Sequence, residues 1–194
     1  MKDRVALVTG GMGHIGASIL RALHQAGCKA VATLQLPGDP TAEAWLAARK
    51  EEGMDVVVAV ADVADAASCK AALEQIEAQT GPIDILVNGA GITRDNTLRK
   101  MSVEQWDAVI NVNLNSVFNV TQPLIEGMMN RGYGRIINIS SINGQKGQIG
   151  QANYSAAKAG MHGFTKAVAQ ETARKGVTVN TISPGYIDSP MINA

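Results

Sequence analysis

Val5-Ala6-Leu7-Val8-Thr9-Gly10-Gly11-Met12-Gly13-His14-Ile15-Gly16 is the stretch on which the fold turns. Residues of strand-forming character run straight into a cluster of glycines, and a helical pattern begins near Ile15. Glycines between a strand and a helix allow a tight turn and let backbone approach a ligand closely. The first turn of the helix then offers unpaired N–H groups to an anion such as a pyrophosphate. Spaced as Gly11-x-Gly13-x-x-Gly16, the loop has the general dinucleotide fingerprint. Counted from Thr9-Gly10, it approaches Thr-Gly-x-x-x-Gly-x-Gly, with His14 where the middle glycine belongs. A ligand-free turn would use the same glycines; the strand before and the helix after favour the binding loop.

Outward from this loop, short β-branched runs alternate with longer amphipathic stretches. The runs Val5–Thr9, Ala30–Leu34, Val56–Val60, Ile83–Val87, Arg135–Ser140 and Val177–Ile182 are nearly continuous in apolar character, as strands covered on both faces are. Helical stretches such as Thr41–Glu52, Ala66–Thr80 and Ala152–Glu171 lie between them. The alternation predicts an α/β fold: a Rossmann-type, doubly wound parallel sheet with helices on both faces. Without a linker or repeat, one domain over residues 1–194 is expected. The stretch Ser102–Met129 is the longest helix candidate, opened by a capping box of Ser102 and Gln105. Val103, Trp106, Ile110, Val117 and Phe118 form its expected apolar stripe. Asn113 falls on that stripe, so it should be buried, capping a kink or holding a water, while Asn111 and Asn115 face solvent.

Seventeen basic and seventeen acidic residues cancel, so no overall field draws in nucleic acid or anionic lipid, and neither partner is expected. The densest charged run, Arg49–Glu52, has mixed sign and suits a solvated helix face. The N-terminus has no signal-peptide pattern, and the longest strongly apolar run, Val56–Ala61, is too short to cross a membrane. Cys28 and Cys69 have no pairing pattern, which suits a reducing compartment such as the cytoplasm.

Nicotinamide-dependent enzymes select their cofactor near the end of the second strand, where a carboxylate would repel a 2′-phosphate. Thr33-Leu34-Gln35-Leu36 has none there, and Asp39 lies past Pro37-Gly38. This leans toward NADP(H) over NAD(H). Tyr154 and Lys158 stand four apart on one helix face, and a lysine beside a phenol should lower its pKa toward that of a usable acid. Ser141 or its rival Ser140, at the end of the fifth strand, could hold a substrate oxygen near Tyr154. Asn88-Gly89-Ala90-Gly91 closes the fourth strand with the small residues a cofactor needs beside backbone.

Taken together, the glycine loop, Asn88–Gly91, Asn113, Ser141, Tyr154, Lys158 and Pro184-Gly185 resemble the short-chain dehydrogenase/reductases. The runs Gly91–Asp95 and Asn143–Gln148 are similar to the acetoacetyl-CoA reductase branch of polyhydroxybutyrate synthesis. The resemblance implies reduction of a 3-oxoacyl thioester, with Tyr154 as acid, Lys158 tuning it and binding the nicotinamide ribose, Ser141 polarising the carbonyl and Asn113 holding a relay water. It implies cofactor contacts at Gly10, Gly13, His14, Ile15, Gly16, Asp62, Val63, Asn88, Ala90, Gly91, Pro184 and Gly185, with Tyr154 and Lys158 joining them. Gln148, Gln151 and Tyr186 would contact the acyl substrate, with no metal involved.

A homotetramer is implied for the family. A carrier-protein thioester is the rival substrate, with Arg131, Arg135 and Lys175 as candidate docking cations. A catalytically inactive dinucleotide-binding protein is the other alternative. His14 and Gly89 depart from the family pattern, at a glycine and an asparagine respectively. Family chains also continue past Pro184-Gly185 into a substrate-covering helix and a last strand. On that ground a C-terminally truncated chain of weak turnover is expected, its sixth strand a long apolar edge.

Overall fold

The computed structural model describes residues 1–187. Six strands form one parallel sheet: β1 (Val5–Thr9), β2 (Ala30–Gln35), β3 (Val56–Val60), β4 (Ile83–Asn88), β5 (Gly134–Ile139) and β6 (Val177–Ile182), in the order β3-β2-β1-β4-β5-β6. The chain first winds outward from β1 to β3 and then restarts beside β1 with β4. This reversal opens a crevice at the carboxyl ends of β1 and β4, the place where open α/β sheets bind ligands. The expected doubly wound sheet is present.

Successive side chains of β1 point to opposite faces, and both faces are covered. Val5 and Leu7 enter a core with Leu73, Ile76, Val120, Leu124 and Met128 of helices α3 (Ala66–Thr80) and α5 (Ser116–Asn130). Ala6 and Val8 enter a second core with Leu20 and Leu23 of α1 (His14–Gln25), packed by Trp45 and Leu46 of α2 (Ala42–Glu51). Two-sided burial is why the central strands lack a polar alternation. At the sheet edge β6 behaves differently: Val177 and Val179 are buried while Thr178 and Asn180 are exposed. The expected apolar edge is therefore half polar.

The expected helix from Ser102 to Met129 is divided. Helix α4 (Val103–Ile110) carries the capping box, a π-helical turn follows at Asn111–Asn115, and α5 continues from Ser116. The inserted turn shifts the helix phase. Val109, Asn113, Val117 and Val120 are buried, whereas Val103, Trp106 and Phe118 are exposed. Three residues of the expected apolar stripe thus face outward: Val103 and Trp106 on α4 ahead of the turn, and Phe118 beyond it. Asn111 and Asn115 are exposed as expected, joined by a 2.7 Å hydrogen bond. On α2, Arg49 is half-buried over the Trp45 ring and paired with Glu52 at 2.7 Å, so the mixed-charge run is only partly a solvated face.

Candidate active site

The glycine loop leaves β1 through Gly10, whose φ of +68° favours glycine. A side chain at Gly16 would strike the Gly10 carbonyl oxygen, so helix α1 can sit this close only with glycine there. Thr9 ties the two halves of the crevice together: its hydroxyl oxygen accepts from Gly89 N–H at 3.0 Å and Ala90 N–H at 3.1 Å. Thr33 of β2 secures the loop from the other side, its oxygen accepting from Gly11 N–H at 3.1 Å. His14 is the first residue of α1 and is exposed; Gly13 before it has only the Gly10 oxygen, at 3.3 Å, near where a Cβ would sit. This backbone cradle suits a dinucleotide pyrophosphate: glycines occupy the places where a side chain would fill the approach.

Helix α7 (Ala152–Thr172) brings Tyr154 and Lys158 to the carboxyl edge of β4 and β5. Both line a cavity of about 420 Å³, with Ile15, Gly91, Ser141 and Pro184 among its other walls. Gly185 and the acyl-site candidates Gln148, Gln151 and Tyr186 also line it. Ser140 and Ser141 both line the cavity and differ in their partners. Ser140 is buried and donates to the Lys158 carbonyl oxygen at 2.7 Å, while Ser141 is half-exposed and accepts from Asn143 N–H at 3.1 Å.

Lys158 is only 4% exposed, and its Nζ donates to the Ile139 carbonyl oxygen at 2.8 Å. Burial pushes its pKa down to about 8. Burial also holds the Tyr154 phenol above its ordinary value; the Ser141 hydroxyl works the other way, and the Asp95 carboxylate adds to the rise. This corrects the sequence expectation that Lys158 lowers the phenol's pKa. The Nζ lies 5.6 Å from the centre of the Tyr154 ring and is spent on a backbone carbonyl, so desolvation of the phenol dominates. Tyr154 is therefore a fully protonated donor at neutral pH.

Asn113 is buried in the π-helical turn and grips the Ile92 peptide, its Oδ1 accepting from Ile92 N–H at 2.8 Å and its Nδ2 donating to Ile92 O at 2.9 Å. A Cβ on Gly91 would lie 3.4 Å from Asn113 Oδ1 and 3.5 Å from Lys158 Nζ, so Asn113 and Lys158 flank one glycine. Asn88 departs from expectation. Its side chain is buried and it is not among the cavity walls; Nδ2 donates to Thr121 Oγ1 at 3.1 Å and Asn138 Oδ1 at 2.9 Å, while Oδ1 is left without a hydrogen-bond partner. Asp62 and Val63 stand past the end of β3, outside the cavity walls; Asp62 Oδ1 accepts from Ala64 N–H, and Asn119 Nδ2 donates to Val63 O.

Three contributors escaped the sequence reading. Asp95 accepts from Gln151 Nε2 at 2.7 Å, and Gln151 Oε1 accepts from Asn143 Nδ2 at 3.0 Å, so Gln151 is a bridge in a chain leading to Ser141. Asn153 fixes the start of α7, accepting from Tyr154 N–H at 2.7 Å and donating to the carbonyls of Arg94 and Gln105. The usable signal was the adjacency of a polar residue to each candidate; the partners are distant in sequence. Among the described residues, no group of three or more His, Cys, Asp or Glu is arranged to hold a metal ion. No helix among them is long and apolar enough to cross a membrane.

A parallel sheet with a glycine cradle at its switch point, and a serine, tyrosine and lysine converging there, matches what known proteins show. Residues 4–194 match the family model described as short chain dehydrogenase. The chain belongs to that family and is an NAD(P)-dependent oxidoreductase. It is 61% identical over 188 residues to an acetoacetyl-CoA reductase of Allochromatium vinosum, covering 97% of this chain and 76% of the relative. It is 41% identical over 194 residues to a 3-oxoacyl-[acyl-carrier-protein] reductase of Vibrio harveyi, covering 100% of this chain and 78% of the relative. A variant of actinorhodin polyketide ketoreductase with NADPH superposes with a TM-score of 0.93 at 36% identity, covering 99% of this chain and 75% of that one.

Proposed function

We propose that this protein reduces a 3-oxoacyl thioester, acetoacetyl-CoA, to the 3-hydroxyacyl thioester with NADPH as reductant. The observation that carries this reading is the convergence of Ser141, Tyr154 and Lys158 on one cleft at the switch point of the sheet. When bound, a nicotinamide dinucleotide supplies the hydride. The loop Gly10–Gly16, the Ala90-Gly91 turn and Pro184-Gly185 would hold it, with Asp62 and Val63 toward its adenine end.

The chemistry left to the protein is proton delivery and orientation. Tyr154, held as a phenol, donates its proton to the substrate carbonyl oxygen as that oxygen gains charge. The Ser141 hydroxyl donates to the same oxygen, and Asn143, which donates its N–H to Ser141 Oγ, keeps the hydroxyl aimed. Lys158, its Nζ 5.6 Å from the centre of the phenol ring, would hold the nicotinamide ribose beside Tyr154. Asn113 fixes the Ile92 peptide and with it the wall behind Gly91.

Preference for NADPH is supported by the absence of a carboxylate from Thr33 to Leu36, and by Asp39, whose carboxylate accepts from Thr41 N–H and Oγ1 instead of reaching a ribose. CoA is favoured over a carrier protein by where the candidate docking cations lie. Arg131 Nη2 donates to the carbonyl of Ile83, at the start of β4, and Arg135 to those of Gly134 and Gly176. That is the opposite end of the sheet from the cleft, about 20 Å away for strands of this length. The homotetramer of the resemblance is supported by Val103 and Phe118, 69% and 55% exposed along α4 and α5.

The test is NADPH oxidation with acetoacetyl-CoA, run beside NADH and a carrier-protein thioester. Tyr154→Phe should lower kcat by about 100- to 10,000-fold with NADPH affinity retained. Equal rates for the two proteins would remove Tyr154 from the mechanism.

A further inference from the structure

One turn beyond Lys158 on helix α7, His162 sits half-buried against the ends of β5 and β6. Its Nε2 is 3.2 Å from Ser140 Oγ and 3.3 Å from Ser183 Oγ. The arrangement repeats one turn further along. There Thr165 Oγ1 accepts from Asn138 Nδ2 at 2.8 Å and from Thr181 Oγ1 at 2.7 Å. Asn138 and Ser140 are two apart on β5, and Thr181 and Ser183 are two apart on β6 and its exit. Helix α7 thus docks on the last two strands by two polar rungs. His162 forms the rung nearer the cleft.

Hydrogen counting at Ser140 bears on the state of this rung. Ser140 has one hydroxyl proton and gives it to the Lys158 carbonyl oxygen at 2.7 Å. Toward His162 it therefore presents only lone pairs, so a hydrogen bond between the two needs a hydrogen on Nε2, with Ser183 Oγ as its second acceptor. Backbone bonds already join the strand ends, Ser140 N–H to Ile182 O at 2.7 Å and Ile142 N–H to Pro184 O at 2.9 Å. They do not hold the helix. The His162 rung does, and it joins the turn carrying Lys158 to the chain that leads directly into Pro184-Gly185.

We propose that His162, through its Nε2–H, is a positioning residue that sets Tyr154 and Lys158 against the Pro184-Gly185 wall of the cleft. This rests on the reading of the cleft as a nicotinamide-dependent reductase site. Its role is indirect, since a misplacement of about 1 Å in a reacting group can cost up to about a hundredfold in rate.

Two measurements on the whole chain test it. The first is imidazole NMR of the cofactor-free protein, resonances assigned with a His162→Gln sample. An Nε2–H ring is expected, and a neutral ring protonated on Nδ1 overturns the inference. The second compares His162→Leu, which removes the donor, with His162→Gln, which keeps an N–H near the Nε2 position. His162→Leu should lower kcat about tenfold per folded molecule with the thioester KM within about twofold, and His162→Gln should recover most of that loss. Unchanged kcat in His162→Leu overturns the inference whichever ring form is found, as does an equal loss in both variants. If His162→Leu does not fold, Ser183→Ala takes its place and should lower kcat in the same way; unchanged kcat there overturns the inference. A wild-type protein that turns over no 3-oxoacyl thioester refutes the reductase reading instead, and the ring form then decides the clamp alone.

Discussion

At Lys158 burial outweighs every other influence on charge. An ammonium withdrawn from water and given one carbonyl partner ionises less readily, and its pKa falls from 10.5 to about 8. The consequence for stability has a definite sign. Between about pH 8 and 10.5 the Lys158 side chain binds more protons in the unfolded chain than in the folded one, so its own contribution to stability rises with pH across that interval. The Cys69 thiol, raised by burial to about 11, and Cys28, also raised, act oppositely above their ordinary value of about 9, and Tyr154 does so above 10. Urea unfolding of the cofactor-free protein should therefore show increasing stability from pH 8 to 9, below the range where the thiols oppose it, and Lys158→Met should flatten that slope. A slope unaltered by the substitution would mean that Lys158 titrates normally.

Glycine at position 144 acts at the same scale. A Cβ there would meet the Lys158 carbonyl carbon at 2.8 Å and the Ala159 nitrogen at 2.9 Å, both backbone atoms that cannot swing aside. Gly144→Ala should push the short helix α6 (Asn143–Lys146) off α7 and reduce kcat/KM by roughly ten- to a hundredfold, read from steady-state kinetics. Retention of full activity would show that α6 can move without disturbing Lys158.

Among the elements, the π-helical turn between α4 and α5 matters most to the site. It delivers Asn113 to the Ile92 peptide, where one side chain satisfies both an N–H and a C=O. Asn113→Ala leaves those two backbone groups without their partner in a half-buried wall and should cost about 1–3 kcal/mol in urea unfolding. A loss below a few tenths of a kcal/mol would show that water replaces the side chain freely. The same turn explains part of why the sequence misplaced the outward face. Asn113 was legible as a polar residue at a buried position, and a kink was one of its two readings. The exposure of Phe118 was not, because an extra residue in one turn rotates everything beyond it and leaves no mark in composition; that of Val103 and Trp106, ahead of the turn, depends on which face of α4 meets the core.

Across the whole molecule, the sheet order places the glycine loop of β1 beside Gly89–Gly91 of β4, and β5 brings Ser141 to the same edge. No single element contains the cleft. The apolar groups left outside, Val103, Trp106 and Phe118, lie on the helices that flank it, and exposed apolar surface of this kind favours association. Sedimentation should show an oligomer at micromolar concentration, and Phe118→Glu with Val103→Glu should shift it toward monomer. A wild-type chain that sediments as a monomer would dispose of the tetramer.

The sequence by itself determined the alternation of strands and helices, the cradle of glycines, and the Tyr154–Lys158 pair on one helix face, because each depends on spacing within a single element. Only the tertiary structure decided what each of the two serines bonds to, which way Asn88 turns and how the phenol titrates. Those outcomes depend on burial and on partners drawn from other elements: Ser140 is captured by the Lys158 carbonyl, and Asn88 by Thr121 and Asn138. Desolvation of Tyr154 and Lys158 arises only when α7 closes over the ends of β5 and β6, so no local pattern could announce it.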